Sequence, residues 1–318
     1  MFEAVADAIR THSRIILHRH SYPDGDALGS QIGLAALIRA NFPDKTVFTV
    51  GDATVRYAFM EGSVMDDVPD DAYSGALAVI LDSATRELVS DKRFETAEMT
   101  VRIDHHLYCE TFTDVEIVDT SFESCCGMIA ELAREQGWII PKDAATAIYT
   151  GMVTDSGRFR YDSVNARTMR LAALLLEQQI DTGAIYRNLY SDDLENVLLR
   201  ARVMQKITRY GDSPVAYIYN TAEELAALGI ADAAQISRGM VNTMSDIRGI
   251  DVWVNFTEAN GEVLCELRSS IYNINPIAVK YGGGGHKKAS GASVPDRSAA
   301  MRMLADLKAL TEEPHEQL

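Results

Sequence analysis

Four short stretches in the first half of the chain carry the side chains that bind divalent metal ions. One histidine and two aspartates form an H-x3-D-x-D arrangement, a single aspartate follows an apolar run, an Asp-His-His triplet comes next, and a last aspartate lies in a Thr-Asp-Ser-Gly break. These residues are His20, Asp24, Asp26, Asp82, Asp104, His105, His106 and Asp155. Oxygen and imidazole ligands without a thiolate favour Mn²⁺, Mg²⁺ or a similar cation over structural zinc.

The number of carboxylates indicates two metal ions rather than one. A single divalent ion would leave excess negative charge, whereas two ions about 3.5–4 Å apart, bridged by one carboxylate and a hydroxide, balance it. Such a pair lowers the pKa of the bridging water, holds phosphoryl oxygens and stabilises a leaving alkoxide. One aspartate behind a strand is usually only a helix cap or a turn residue. The prediction of a metal site therefore depends on the whole set.

Strands must position these residues, because most of the set follows runs of strand-forming residues. Apolar, β-branched runs alternate with helical patterns in the first half, which indicates crossovers and a parallel sheet. The predicted strands cover 14–18, 46–50, 76–81, 100–103 and 115–118. In open α/β sheets, ligands bind beyond the carboxyl ends of the strands. We therefore expect the metal-binding residues to converge at one edge of the sheet, with Asp155 just after a helix that ends near residue 153.

The pattern changes twice further along the chain. Apolar residues at i, i+3 and i+4 predict helices over 27–41, 144–153, 166–177 and 194–207. The second half returns to strands at 215–219, 251–257 and 263–268, with helices at 222–228 and 233–245 and a Gly-rich loop at 282–286 before a final strand and helix. We expect an α/β fold with a catalytic domain over 1–190, a helical linker over 191–208 and a smaller α/β substrate-binding domain over 209–318. The active site would lie in the cleft between the domains.

Composition narrows the classes of partner. The formal net charge of −16 opposes a long polyanion, which usually needs a basic face, but allows a small substrate held by local positive groups. No apolar run reaches the roughly 20 residues of a membrane span, so we expect a cytoplasmic protein without a membrane contact. The four cysteines fit neither a disulfide framework nor a zinc knuckle and are expected to be reduced.

Taken together, the motifs resemble the four signatures of the DHH phosphoesterases, in the family order and at ordinary spacings. The Gly282-Gly283-Gly284-Gly285-His286 loop, with Arg268-Ser269 upstream, resembles the DHH-associated C-terminal domain, so the resemblance covers nearly the whole chain. The glycine loop also has a physical interpretation, since consecutive glycines can present backbone N–H groups to a phosphate. The alternative for the loop alone is a flexible surface turn.

The resemblance implies a role for each motif residue. One metal ion would be bound by His20, Asp24 and the bridging Asp82. The other would be bound by Asp26, Asp82, His105 and Asp155. The catalytic set would be His106, Asp82 and Asp104, with His106 contacting the substrate phosphate and Asp104 holding the histidines in place. The substrate would be gripped from the second domain by Arg268, Gly283, Gly284, Gly285 and His286. The implied cofactors are two divalent ions, with Mn²⁺ preferred and Mg²⁺ as the alternative.

Within the family, the size matches the compact NrnA type, which implies hydrolysis of very short RNA and of 3′-phosphoadenosine 5′-phosphate (pAp). The first alternative is a phosphodiesterase for cyclic di-AMP or its linear product pApA. A manganese pyrophosphatase would need a more basic phosphate pocket. From another class, a catalytically dead nucleotide sensor is disfavoured by the complete ligand set. The expected partner is a short nucleotide rather than long nucleic acid, and a homodimer is left open.

Overall fold

The computed structural model describes residues 1–230 and 232–312. The chain forms two compact units, Met1–Ser191 and Asp192–Leu318, and each is described by itself below. Among the described residues, no helix has both the length and the apolar character that crossing a bilayer requires.

Residues 1–191 are built around a parallel sheet of five strands in the order β2-β1-β3-β4-β5. The strands are β1 (Arg14–Arg19), β2 (Thr46–Thr49), β3 (Leu77–Leu81), β4 (Met99–Asp104) and β5 (Val115–Val118). The two innermost, β1 and β3, are almost completely buried, as expected for parallel strands that helices cover on both faces. The predicted parallel α/β fold is confirmed, and the strands end within two residues of their predicted ends.

Helices supply the rest of this unit. They are α1 (Glu3–Thr11), α2 (Gly25–Asn41), α3 (Cys125–Gln136), α4 (Lys142–Asp155), α5 (Ala166–Leu176) and α6 (Thr182–Tyr190). Helix α1 was not predicted. Helix α4 continues to Asp155 instead of ending near residue 153, so this aspartate is the last residue of a helix rather than part of the break that follows it.

Helices α2 and α4 approach each other closely because glycines replace side chains at their contact. A Cβ atom on Gly29 would lie 2.6 Å from the carbonyl oxygen of Ala147, and one on Gly33 would overlap the side chain of Ile148. On α4, a Cβ on Gly151 would lie 3.0 Å from the carbonyl oxygen of Gly25 on α2 and would overlap the Sγ atom of Cys126 on α3. This packing brings the first turn of α2 beside the last turn of α4.

Residues 192–230 and 232–312 form a mixed sheet of six strands in the order β10-β11-β9-β8-β7-β6, in which only β7 and β8 are parallel. The elements are α7 (Leu194–Met204), β6 (Thr208–Arg209), β7 (Val215–Asn220), α8 (Ala222–Ala227), α9 (Ala233–Met240), β8 (Val252–Ala259), β9 (Glu262–Ser269), α10 (Asn275–Lys280), β10 (Gly284–His286), β11 (Ala289–Val294) and α11 (Arg297–Glu312).

Two predictions for this unit need correction. The helix predicted over 233–245 ends at Met240 and continues only as a 3₁₀ turn, Val241–Met244. The segment predicted as a loop at 282–286 contains strand β10, which pairs with β11. Glycine makes this pairing feasible, because a Cβ on Gly283 would overlap the carbonyl oxygen of Gly291.

Candidate metal centre

The metal-binding residue types of the first unit converge at the carboxyl ends of β1, β3 and β4. His20 and Asp82 directly follow β1 and β3, and His105 follows β4. Asp26 lies in the first turn of α2 and Asp155 in the last turn of α4. Three groups of these side chains place one ligand atom each within 4.8 Å of one another. The groups are His20, Asp24 and Asp82; Asp26, His105 and Asp155; and Asp82, His105 and His106.

The distances within the cluster match neighbouring ligands of one ion better than direct hydrogen bonds. The Nε2 atom of His105 lies 3.4 Å from Asp155 Oδ2, 3.5 Å from Asp82 Oδ1 and 3.7 Å from Asp26 Oδ2. A hydrogen bond from nitrogen to oxygen is usually about 2.7–3.2 Å long. Ligand atoms held at about 2.1 Å from one cation are separated by about 3 Å or slightly more.

Asp82 is shared between the two ends of the cluster. Its Oδ2 atom lies 3.5 Å from Nε2 of His20, and its Oδ1 atom lies 3.5 Å from Nε2 of His105. Oδ1 is buried and has no hydrogen-bond partner among the described residues. A buried carboxylate oxygen without a donor is costly unless a cation neutralises it. This unpartnered oxygen therefore fits a bridging metal ligand.

The backbone at Asp82 is also unusual. Its φ angle is +52°, in the left-handed region that residues other than glycine rarely adopt. Its N–H donates to the carbonyl oxygen of Ile103 at 3.0 Å, which holds the residue in place beside β4. Such outliers cost about 1–3 kcal/mol and concentrate at functional sites.

The electrostatics of the cluster favour bound cations. Burial, together with repulsion from Asp82 and Asp155, raises the pKa of Asp26 well above its usual value. Burial raises the pKa of Asp155 to about 7 against the attraction of His105, and repulsion from Asp82 and Asp24 acts in the same direction as burial. Burial alone would lower the pKa of His20 and His105, but the surrounding carboxylates raise both to about 10. These shifts show that positive charge is favoured among the carboxylates, and the donor set of carboxylates and imidazoles fits divalent cations.

The first turn of α3 holds Asp26. The backbone N–H groups of Cys125 and Cys126 donate to its Oδ2 and Oδ1 atoms at 2.7 and 2.8 Å. N–H groups in the first turn of a helix have no acceptor within the helix, and the helix dipole also favours a negative charge there. The cysteine residue types predict only reduced thiols, so this role of their backbone N–H groups was not predicted. The available signal was Ser124, which caps the helix by accepting from Gly127 N at 2.9 Å.

Asp104 and His106 form a hydrogen-bonded pair at the edge of the cluster. The Nδ1 atom of His106 lies 2.8 Å from Oδ1 of Asp104, and the His106 side chain is 45% exposed, so a substrate can reach it. Burial alone would raise the pKa of Asp104, but its bonds to His106 and Arg102 keep the pKa below the usual value. Arg102 was not predicted as a site residue.

In the second unit, most of the predicted substrate-binding residues line one cavity of about 810 Å³. Arg268, Gly284, Gly285 and His286 contribute to its wall, whereas Gly283 packs against β11. Sequence reasoning missed Arg238 and Glu266, which also line it. Glu266 accepts from Nε of Arg238 at 3.1 Å and from Nη1 of Arg268 at 3.2 Å. Two arginines beside exposed glycine backbone are suited to bind an anion.

Two family models match the chain. The model described as "DHH family, N-terminal domain" matches residues 14–152, and the model described as "DHHA1 domain" matches residues 221–313. Both the metal-binding cluster around Asp82 and the cavity around Arg268 lie largely within these matches.

Similar proteins match nearly the whole length of the chain. The chain is 35% identical to the "Bifunctional oligoribonuclease and PAP phosphatase NrnA" of Bacillus subtilis, covering 96% of this chain and 97% of that protein. It is 34% identical to the protein of the same name from Mycoplasma genitalium, covering 94% of each. The crystal structure of an exopolyphosphatase-related protein from Bacteroides fragilis matches with a TM-score of 0.83 and 26% identity, covering 98% of this chain and 97% of that one.

Proposed function

The chain belongs to the DHH family of phosphoesterases, and from that premise we propose that it hydrolyses very short oligoribonucleotides and pAp. Full-length likeness to relatives named oligoribonuclease and PAP phosphatase supports this substrate class. The chemistry rests on one observation above all: the buried, unpartnered oxygen of Asp82 stands between two groups of metal-binding side chains.

Two divalent ions would be held by the cluster, with Asp82 as the shared ligand. One ion would be bound by His20, Asp24 and Asp82, and the other by Asp26, Asp82, His105 and Asp155. When bound, such ions activate water and neutralise charge on the phosphoryl and leaving oxygens. We propose Mn²⁺ as the ion, with Mg²⁺ as the alternative, because the donors are carboxylates and imidazoles.

The protein's own groups would orient the substrate. The exposed ring of His106 would donate to a phosphoryl oxygen, and Asp104 would hold that ring through its Nδ1 atom. In the second unit, Arg268, His286 and the glycine backbone of β10 would bind a further phosphate or base of the same substrate. The strong negative charge of the chain disfavours long strands. A cytoplasmic location stays a prediction from the sequence, and a homodimer stays open.

A substrate panel tests the proposal. The purified protein with Mn²⁺ would be assayed on pAp, a diribonucleotide, a 5-mer, pApA, cyclic di-AMP and pyrophosphate, with Asp82→Asn as the inactive control. We expect the highest kcat/KM values for pAp and the shortest RNAs. Preference for cyclic di-AMP or pApA would replace the proposal by its first alternative. Tight nucleotide binding without metal-dependent turnover would indicate a sensor instead.

A further inference from the structure

Arg102 lies in the middle of β4, two residues before Asp104, and its side chain is 0% exposed. Removing a guanidinium from water costs several kcal/mol unless it is well paired. A buried arginine in a sheet strand must therefore be stabilised by its contacts.

The guanidinium of Arg102 holds together three stretches of chain that carry or follow residues of the candidate metal centre. Nη2 donates to Oδ2 of Asp104 at 2.6 Å and to the carbonyl oxygen of Ala84, two residues beyond Asp82, at 2.9 Å. Nη1 donates to the carbonyl oxygen of Glu110, in the segment that follows His106, at 3.0 Å. The guanidinium also stacks over the ring of Phe112, 4.9 Å from its centroid.

Asp104 binds both Arg102 and His106, so the contact with Arg102 also restricts the position of His106. Arg102 occupies one carboxylate oxygen, and the other lies 2.8 Å from Nδ1 of His106. A carboxylate paired with a guanidinium only accepts hydrogen bonds. Nδ1 must therefore carry the proton, which leaves Nε2 on the other side of an exposed ring.

We propose that Arg102 is a positioning residue that, through Asp104, fixes the ring orientation and the tautomer of His106. The catalytic consequence rests on the proposed function, in which His106 contacts the substrate phosphate. The tautomer itself does not depend on that function. Supporting groups of this kind typically change activity about 10–100-fold when they are removed.

Arg19 offers a matched comparison within the same sheet. It is likewise fully buried and lies on β1, directly before His20. It donates to the side chain of Gln31 at 2.9 Å and to the carbonyl oxygen of Asp52 at 2.6 Å. Replacing Arg19 therefore disturbs a buried arginine of the same sheet without touching the Asp104–His106 pair.

The first test is a double-mutant cycle on the Mn²⁺-loaded protein, using the best substrate of the panel. Arg102→Met should lower kcat about 10–100-fold with KM and bound metal unchanged. In a His106→Ala background the same change should cause no further loss, because coupled residues are not additive. Arg19→Met should keep its full effect in that background. Equal loss from Arg102→Met in both backgrounds would overturn the proposal.

The second test needs no turnover. Two-bond ¹H–¹⁵N spectra of the Mg²⁺-loaded, ¹⁵N-histidine-labelled protein report the tautomer of each of the seven histidines. The His106 signals are assigned by their loss in His106→Ala. We expect the Nδ1-protonated form in the wild type and a mixture in Arg102→Met, with Arg102→Gln as the replacement if the methionine variant does not fold. An unchanged tautomer in the folded variants refutes the proposal, whereas a wild type without turnover would contradict only the proposed function.

Discussion

The candidate metal centre of the first unit and the cavity of the second unit are built in different ways. In the metal centre, the protein itself holds the functional groups: two backbone N–H groups bind Asp26, and buried Arg102 binds Asp104. In the cavity, the Arg238 side chain is 81% exposed, and Arg268 shares the carboxylate of Glu266 with it. The first arrangement is preorganised, as stabilising a transition state requires. The second leaves side chains free to adapt to a ligand.

This contrast predicts different kinetic effects. Changes in the metal centre should lower kcat, because they remove interactions that operate in the transition state. Changes in the cavity should mainly raise KM, because they remove binding that substrate and transition state share. The variants below test that division, beginning with the largest expected effect.

Asp82→Asn should abolish activity, with kcat at least about 10³-fold lower, because the shared ligand loses its charge. Asparagine keeps the shape of the side chain and tolerates the left-handed backbone at this position, so the fold should persist. The measurement combines turnover, metal content by mass spectrometry and circular dichroism. A variant that retains two bound metal ions and near-normal kcat would contradict the bridging role.

The two adjacent histidines should separate metal binding from substrate contact. His106→Ala should keep its metal ions but lose about 2.7–4 kcal/mol of transition-state stabilisation, the usual effect of removing one preorganised donor. His105→Ala should lose metal instead, because its Nε2 atom faces three carboxylates. Isothermal titration with Mn²⁺ beside steady-state kinetics distinguishes the two, and the reverse pattern would exchange their roles.

Sequence patterns sufficed for the parallel sheet and for the clustering of the candidate metal ligands. The reason is physical: parallel strands end at a common edge, so Asp82 and His105 had to meet there. The features that were missed depend on tertiary contacts. The backbone N–H group of Cys125 reaches Asp26 across 99 residues, and no local sequence pattern predicts such a contact.

The buried arginines were missed for a related reason. Within a strand pattern, Arg102 interrupts an apolar run and looks like a solvent-facing position, although its side chain is completely buried. In the second unit, the glycine run predicted a loop because propensity disfavours glycine in strands. The close approach of β10 to β11, which only glycine allows at Gly283, outweighs that preference.

The two units should also differ in how their free energy of unfolding responds when a helical glycine is replaced by alanine. Gly151→Ala should destabilise the first unit by about 1–3 kcal/mol, because the new methyl group overlaps Cys126 in a packed interior. Gly239→Ala should stabilise the second unit by about 0.5–1 kcal/mol, because this helical glycine has open space around its Cβ position.

The two tryptophans make this comparison measurable, since Trp138 lies in the first unit and Trp253 in the second. Urea unfolding followed by fluorescence in Trp253→Phe and Trp138→Phe backgrounds reports each unit separately. If Gly151→Ala left the first unit as stable as before, the close packing of α4 against Cys126 of α3 would not limit its stability.

The smallest effect is expected for Arg268→Ala. This variant tests whether the second unit makes the protein prefer short substrates. Its side chain is 22% exposed and already paired with Glu266, so the contact with a substrate phosphate should contribute only about 1 kcal/mol. Arg268→Ala should therefore raise KM for a diribonucleotide about fivefold with kcat nearly unchanged, a ratio that corresponds to about 1 kcal/mol. Bis-p-nitrophenyl phosphate, which is too small to need a second anchor, should be hydrolysed as before.

The control for this prediction is Arg302→Ala, which removes the same charge from α11 and keeps the cavity wall intact. A length series from dimer to 24-mer completes the test. If the second unit binds the far end of short substrates, the wild type should have a higher kcat/KM for the dimer than for the 24-mer. Arg268→Ala should lower this ratio of kcat/KM values, whereas Arg302→Ala should leave it unchanged. Equal damage to the dimer and to the minimal ester would place the effect of Arg268 in the chemistry rather than in binding. The division between a catalytic first unit and a binding second unit would then be wrong.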